Sequence, residues 1–327
     1  MKILKYLKYI PIIIINYVII FFLIYTVSGF LLIKGITPDL KLIKEYQRNY
    51  YFQGGLRNLW QSNKDCIEFD EDLIFVPKNT SCNFKNFEFE TKISFDIYGR
   101  YSDHPDTNKN NGIAVIGDSH AMGWGVNDNE TFSFLLEKNI KKPVYNLSVS
   151  GYGTIRELMR LEKSNLLDDV DTIIIQYCYN DVGENMNFKI NSYEDAVEKF
   201  ELMTTSKPVS NFRKLRKALR YSLTIPFDII TNKNQLLNFD GHKKILFDVL
   251  KEFPNLNNKK IIIFYANGFD MKFYNFPEGL SEEYENINFL NINMGEEFFF
   301  NIDGHLNAKG HSFIAAKLSK ILNQKIN

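Results

Sequence analysis

The sequence predicts an α/β fold with a parallel sheet, preceded by one N-terminal membrane-spanning helix. Three observations carry this expectation. An uncharged apolar run fills residues 9–33, short apolar strands recur from residue 113 onward, and stretches with helical spacing of apolar positions lie between them. Continuous apolar strands separated by helices imply a parallel sheet covered on both faces.

The first element is the run YIPIIIINYVIIFFLIYTVSGFLLI, which has no charge between Lys8 and Lys34. At 1.5 Å per residue it is long enough to cross a ~30 Å hydrocarbon core. A cleaved signal peptide is the competing reading, because Val27-Ser28-Gly29 resembles a small-residue cleavage site. The run exceeds the usual apolar region of ~7–15 residues, which favours an uncleaved anchor over residues 1–34. Lys2, Lys5 and Lys8 before the span nearly balance Lys34, Lys41, Lys44 and Arg48 after it, so charge does not set the orientation.

Residues 35–112 form the expected membrane-proximal segment. A helix over 35–60 stops at Gly54-Gly55. FKNFEFETKISFDIY, residues 84–98, alternates apolar and polar positions as a strand does, and GRYSDHPDTNKNNG at 99–112 is rich in turn formers and closes the segment. Cys66 and Cys82 could pair if this part of the chain is exported, and the sequence leaves that open. Cys178 lies in an apolar strand and reads as a small buried hydrophobe.

The main domain is expected over 113–327. Its strands are IAVIG from 113, VYNLSVS ending at Ser150, TIIIQYCY from 172, KIIIFYA from 260 and INFLNI from 287, with ETFSFLLEKNI and TIRELMRLEKSNLL as helices between the first three. A helical insertion over about 185–258 interrupts the rhythm. Its basic residues Arg213, Lys214, Arg216, Lys217 and Arg220 read as a solvated helix face, or as a cap meeting an anionic substrate or lipid headgroups.

Composition excludes some functions. Lys and Arg number 39 against 39 Asp and Glu, so no overall field recruits nucleic acid, and no nucleic-acid motif is present. Neither GWGVND nor GYGTIR completes a dinucleotide fingerprint. Ala121 stands where a G-x-S-x-G nucleophile elbow needs glycine. Asp118, Asp303, His305 and His311 could in principle gather round a cation as in a metal-dependent phosphoesterase, but that leaves Ser119 and Gly151 unexplained.

In open α/β sheets, ligands bind beyond the carboxyl ends of the strands, and four groups sit at such ends. Ser119 follows the first strand of the main domain, Gly151 the second, Asn180 the third, and DGHLN at 303–307 the last. Taken singly, each has an ordinary explanation as a helix cap, turn or surface residue. Together, GDSH at 117–120, SVSGYG at 148–153, YND at 179–181 and DGHLN at 303–307 resemble the motif blocks of the SGNH/GDSL hydrolases, over about 113–327. MGWGVNDNETFSFLLE after the serine resembles the helix entry of membrane-associated bacterial members.

The resemblance implies a three-layer flavodoxin-like fold and a serine esterase acting on small acyl esters, such as acetyl groups on cell-surface carbohydrate. It implies Ser119 as nucleophile, and Ser119, Gly151 and Asn180 as the oxyanion hole. His305 would be the base and Asp303 its orienting acid. No cofactor or metal is implied, the substrate is an acylated small molecule or glycan, and the catalytic domain is extracytoplasmic. An O-acyltransferase using the same acyl-enzyme, or a non-catalytic membrane-anchored binding protein, is the alternative.

The family separates acid and base as D-x-x-H, whereas only Gly304 stands between Asp303 and His305 here. Either Gly304 adopts a backbone conformation closed to other residues, or a backbone carbonyl orients the imidazole. His120 is the rival base. The residue types suit acyl transfer on chemical grounds, since a serine hydroxyl needs an imidazole to take its proton and the resulting oxyanion needs aimed donors.

Overall fold

The computed structural model describes residues 9–34, 36, 44, 47–48, 50–52, 57–104, 111–178, 180–205, 210–220, 239–267, 276, 280 and 286–324. Contacts divide the chain into two compact units, Met1–Arg57 with Lys207–Asn234, and Asn58–Ser206 with Gln235–Asn327.

In the first unit, helix α1 (Ile10–Lys34) is apolar all round, with Pro11 in its first turn, where a missing N–H costs nothing. Its stretch Ile10–Leu31 has a mean hydropathy of 2.5 and is not buried in the protein, so the helix is long and apolar enough to cross a membrane. Residues 211–220, which hold Arg213, Lys214, Arg216, Lys217 and Arg220, are helical and lie against α1. The Tyr25 hydroxyl donates to the Leu219 carbonyl, and a Cβ on Gly29 would stand 3.0 Å from Leu219 Cδ2. The helix expected over 35–60 falls largely outside the described residues, although 47–48 and 50–52 within it are helical.

The second unit holds ten strands among its described residues. β1 (Ile67–Asp70) and β2 (Ile74–Pro77) form an antiparallel pair. The others are β3 (Ser81–Lys85), β4 (Glu90–Asp96), β5 (Gly99–Arg100), β6 (Gly112–Gly117), β7 (Val144–Asn146), β8 (Val170–Gln176), β9 (Lys260–Asn267) and β10 (Ile287–Asn293). They make one sheet in the order β10-β9-β8-β6-β7-β5-β4-β3.

From β10 to β7 the pairing is parallel, and from β7 to β3 it is antiparallel. Counted from β6, the parallel strands run 2-1-3-4-5, the flavodoxin-like order, with its switch point between β6 and β8. Strands from before residue 113 therefore extend the parallel sheet as an antiparallel edge. The single strand expected over 84–98 is broken by a turn, closed where Asn86 N–H donates to the Phe89 carbonyl at 3.0 Å.

Alternation along the central strands builds the three layers. Ala114, Ile116, Ile173, Ile175, Ile261 and Ile263 face one side, where they pack with Leu158 and Leu161 of α2 (Thr154–Lys163) and Leu246 of α3 (Phe239–Lys251). Ile113, Val115, Ile174, Ile262 and Phe264 face the other. There they meet Phe132 and Leu136 of α4 (Phe132–Ile140) and Ile314 and Leu318 of α5 (Ala308–Gln324).

A third core joins the edge strands to the loops after β6 and β7 through Phe75, Phe84, Phe89, Trp124 and Tyr152. Cys66 and Cys82 form a disulfide that ties the start of β1 to β3 across a Cα separation of 6.0 Å, and Cys178 is free and buried.

Candidate active site

β6 reads GIAVIG and is buried throughout, because both faces of a central parallel strand are covered. It runs into Asp118, which caps the four-residue helix Ser119–Met122 by accepting the His120 N–H at 2.8 Å on Oδ1. Ser119 is the first residue of that helix, so its own N–H is among those a helix leaves without an internal partner.

The loop 300–305 closes on itself. Phe300 N–H donates to the His305 carbonyl at 2.8 Å, and Gly304 N–H to the Phe300 carbonyl at 3.0 Å. Gly304 has φ +81°, the left-handed region that other residues resist. This folds the Asp303 side chain back over one residue, and its Oδ1 bonds His305 Nδ1. A carboxylate, not a backbone carbonyl, thus meets that nitrogen. His305 Nε2 lies 2.7 Å from Ser119 Oγ.

The Ser119 hydroxyl also has Asp118 Oδ2 at 3.4 Å. The contact with His305 is the shorter by far and takes the hydroxyl proton. His120 does not bond Ser119. Its ring lies 4.7 Å from the His305 ring, and burial, followed by the neighbouring His305, pulls its pKa down to about 4. His311 is remote from a catalytic role, since it is buried in α5 and its Nδ1 accepts the Phe132 N–H at 3.1 Å. Among the described residues, no group of three His, Cys, Asp or Glu side chains is placed to hold a metal ion.

Asn180 follows β8, across the switch point from Ser119, and its Nδ2 donates to Asp118 Oδ2 at 3.1 Å. That bond uses one amide hydrogen and fixes the plane of the other. Gly151 lies in the turn after β7 with φ +88°. A Cβ there would meet only the Gln61 side chain, at an ordinary 3.6 Å. Backbone conformation, not lack of space, is therefore what demands glycine. The Gly151 carbonyl is held by Arg156 Nη2 at 2.5 Å, while Arg156 also makes two 2.6 Å bonds to Glu184.

Other neighbours of the site were given no role by the sequence, although Asp181 closes the YND block. Gln61, in the short turn after Trp60, accepts the Ser150 hydroxyl at 3.2 Å and so lies beside Gly151. Asp181, next to Asn180, accepts Cys178 N–H at 3.0 Å and Thr154 Oγ1 at 3.3 Å. Burial raises the pKa of Asp181 and of Glu157 well above the carboxylate range, and Asp118 adds to the rise in both.

No protein-family model and no curated relative matches the sequence. Solved structures show a distant likeness. A G-D-S-L family lipolytic protein from Desulfitobacterium hafniense is 12% identical with a TM-score of 0.40, covering 65% of this chain and 99% of that one. An acetyl xylan esterase from Butyrivibrio proteoclasticus is 16% identical with a TM-score of 0.40, covering 70% and 67%. The esterase EstA from Pseudoalteromonas sp. is 14% identical with a TM-score of 0.36, covering 67% and 100%. Likeness this low carries no argument about chemistry, which stands on the distances around Ser119 alone.

Proposed function

We propose that the protein is a membrane-anchored serine esterase of SGNH/GDSL type that cleaves small acyl esters through an acyl-serine intermediate. The observation that carries this reading is the chain of contacts from Ser119 Oγ through His305 Nε2, at 2.7 Å, to Asp303 on Nδ1. His305 takes the proton as Ser119 Oγ attacks the ester carbonyl, and Asp303 holds the tautomer and supports the imidazolium. The oxyanion receives the N–H groups of Ser119 and Gly151 and the free hydrogen of Asn180 Nδ2, whose amide plane Asp118 orients.

Collapse of the tetrahedral intermediate breaks the bond to the alcohol, which leaves with the proton held by His305. Water then attacks the acyl-serine with His305 again as base, which releases the acid and restores Ser119. A sugar hydroxyl in place of water would make the same intermediate a transferase.

The motif resemblance supports acetyl groups on cell-surface carbohydrate as the ester. Two features support a domain outside the cytoplasm: an apolar helix ahead of it and the Cys66–Cys82 bond, which persists in oxidising compartments. A reporter fused after Lys34 is expected to be extracytoplasmic, and a cytoplasmic signal would overturn that placement. Ser119→Ala in the full-length, detergent-solubilised protein is expected to abolish hydrolysis of p-nitrophenyl acetate. Undiminished turnover in the folded variant would refute the mechanism.

A further inference from the structure

The loop that carries Asp303 and His305 is held from outside as well as from within. Its end amides, Phe300 and Gly304, are spent on the loop's own carbonyls. The amides of Ile302 and Asp303 instead both donate to one oxygen, Glu88 Oε2, at 2.7 Å each. The Asn301 amide bonds the same carboxylate. Burial raises the Glu88 pKa and the three amides oppose the rise, while the nearby Asp303 charge adds to it. Bonds from consecutive amides to a carboxylate are charge-assisted and short. They hold three residues of a loop that has no other regular structure.

Glu88 stands in the turn between β3 and β4, and its neighbour Phe89 touches both halves of the site. The Phe89 ring lies 5.1 Å from Phe300, at the start of the acid–base loop. It also lies 5.5 Å from Trp124, edge to face, and Trp124 N–H donates to the Ser119 carbonyl at 3.0 Å. One turn therefore contacts the segment carrying Ser119 and clamps the segment carrying His305. The interruption of the strand over 84–98 is what puts Glu88 within reach.

We propose that Glu88 is a positioning residue of the active site, whose carboxylate holds the 301–303 amides so that Asp303 stays on His305 and His305 stays on Ser119. This inference rests on the serine-esterase reading above. A carboxylate fits because a single oxygen can accept from two adjacent amides.

The test uses the full-length protein in detergent and three variants: Glu88→Ala, Glu88→Asp and Glu88→Gln. Three quantities are measured: kcat and KM for p-nitrophenyl acetate, the rate at which a fluorophosphonate modifies Ser119, and the melting temperature. Glu88→Ala is expected to lower kcat and the labelling rate by about tenfold to a hundredfold, as misplacement of a reacting group by about 1 Å does, with KM within about twofold. Glu88→Asp keeps the charge but falls one methylene short, so it should fold and still lose kcat severalfold. Glu88→Gln keeps an acceptor oxygen in place and should recover most of the wild-type rate.

Wild-type kcat and labelling in folded Glu88→Ala or Glu88→Asp would overturn the proposal. So would Glu88→Gln as slow as Glu88→Ala at an unchanged melting temperature, which would assign the effect to charge and not to position. If wild-type Ser119 is not labelled, the esterase reading itself fails. If it is labelled and every variant labels equally fast, only the role of Glu88 fails.

Discussion

Gly304 decides whether Asp303 can serve His305 at all. With one residue between them, where the related motif has two, the acid reaches back only because Gly304 sits at φ +81°. Alanine in that region costs about 1–2 kcal/mol. Gly304→Ala should therefore lower the melting temperature and cut kcat, as the loop relaxes away from His305; thermal melts and steady-state kinetics on one preparation check both. In the proposed mechanism Asn180→Ala removes one oxyanion donor, and kcat should fall about a hundredfold or more with KM changed far less. A matching rise in KM with kcat intact would mean that Asn180 binds substrate without serving the transition state.

The position of Ser119 at the end of β6 was legible from the sequence, because GIAVIG runs straight into it; Gly151 and Asn180 follow β7 and β8 by a few residues, and His305 comes after β10 and a further helical turn at Glu296–Phe298. Glu88 and Gln61 were not legible. Glu88 reaches amides 215 residues along the chain, and nothing in FKNFEFE distinguishes it from any other polar position of an alternating strand.

Among the elements, the parallel strands β6, β8 and β9 were the most readable, since burial on both faces gives each an unbroken apolar centre: IAVI in β6, III in β8 and IIIFYA in β9. The edge was less so. Lys85 and Glu90 preserve the alternation that a single strand would show, but they face each other across a hairpin as a 2.7 Å ion pair.

Helix α4 begins at Thr131, whose Oγ1 accepts the Phe134 N–H at 3.3 Å. Thr131→Ala should cost about 1 kcal/mol, read from denaturant melts. In α2, Glu157 is buried with neither carboxylate oxygen hydrogen-bonded, and burial raises its pKa. The folded state thus binds a proton that the unfolded chain releases above about pH 4, so this group costs stability as pH rises through that window. Glu157→Gln should raise the melting temperature more at pH 8 than at pH 5. A gain independent of pH would show that Glu157 is not held protonated.

At the level of the whole chain, stability has an acid limit of opposite sign. Burial holds the pKa of His120 at about 4 and of His311 at about 3. The unfolded chain binds protons that these folded imidazoles refuse, so their contribution is intact above the free imidazole value of about 6.5 and is lost as pH falls from there toward 4. The Cys66–Cys82 bond spans 16 residues. By the chain-entropy account it stabilises by about 3 kcal/mol, and melting with and without reductant measures that directly.

The long apolar N-terminal helix was legible from local apolar pattern, and the flavodoxin-like strand order only through the motif resemblance, since which strands lie side by side is not written in any one of them. The antiparallel extension of the sheet was not legible, because pairing between β5 and β7 is decided by long-range packing. The measurement that bears most directly on the esterase reading is mass spectrometry of the full-length protein after treatment with a serine-directed fluorophosphonate. An adduct on Ser119 that is lost in His305→Ala, together with hydrolysis of p-nitrophenyl acetate, is the predicted result. Folded protein that carries no adduct on Ser119 and cleaves no ester would contradict it.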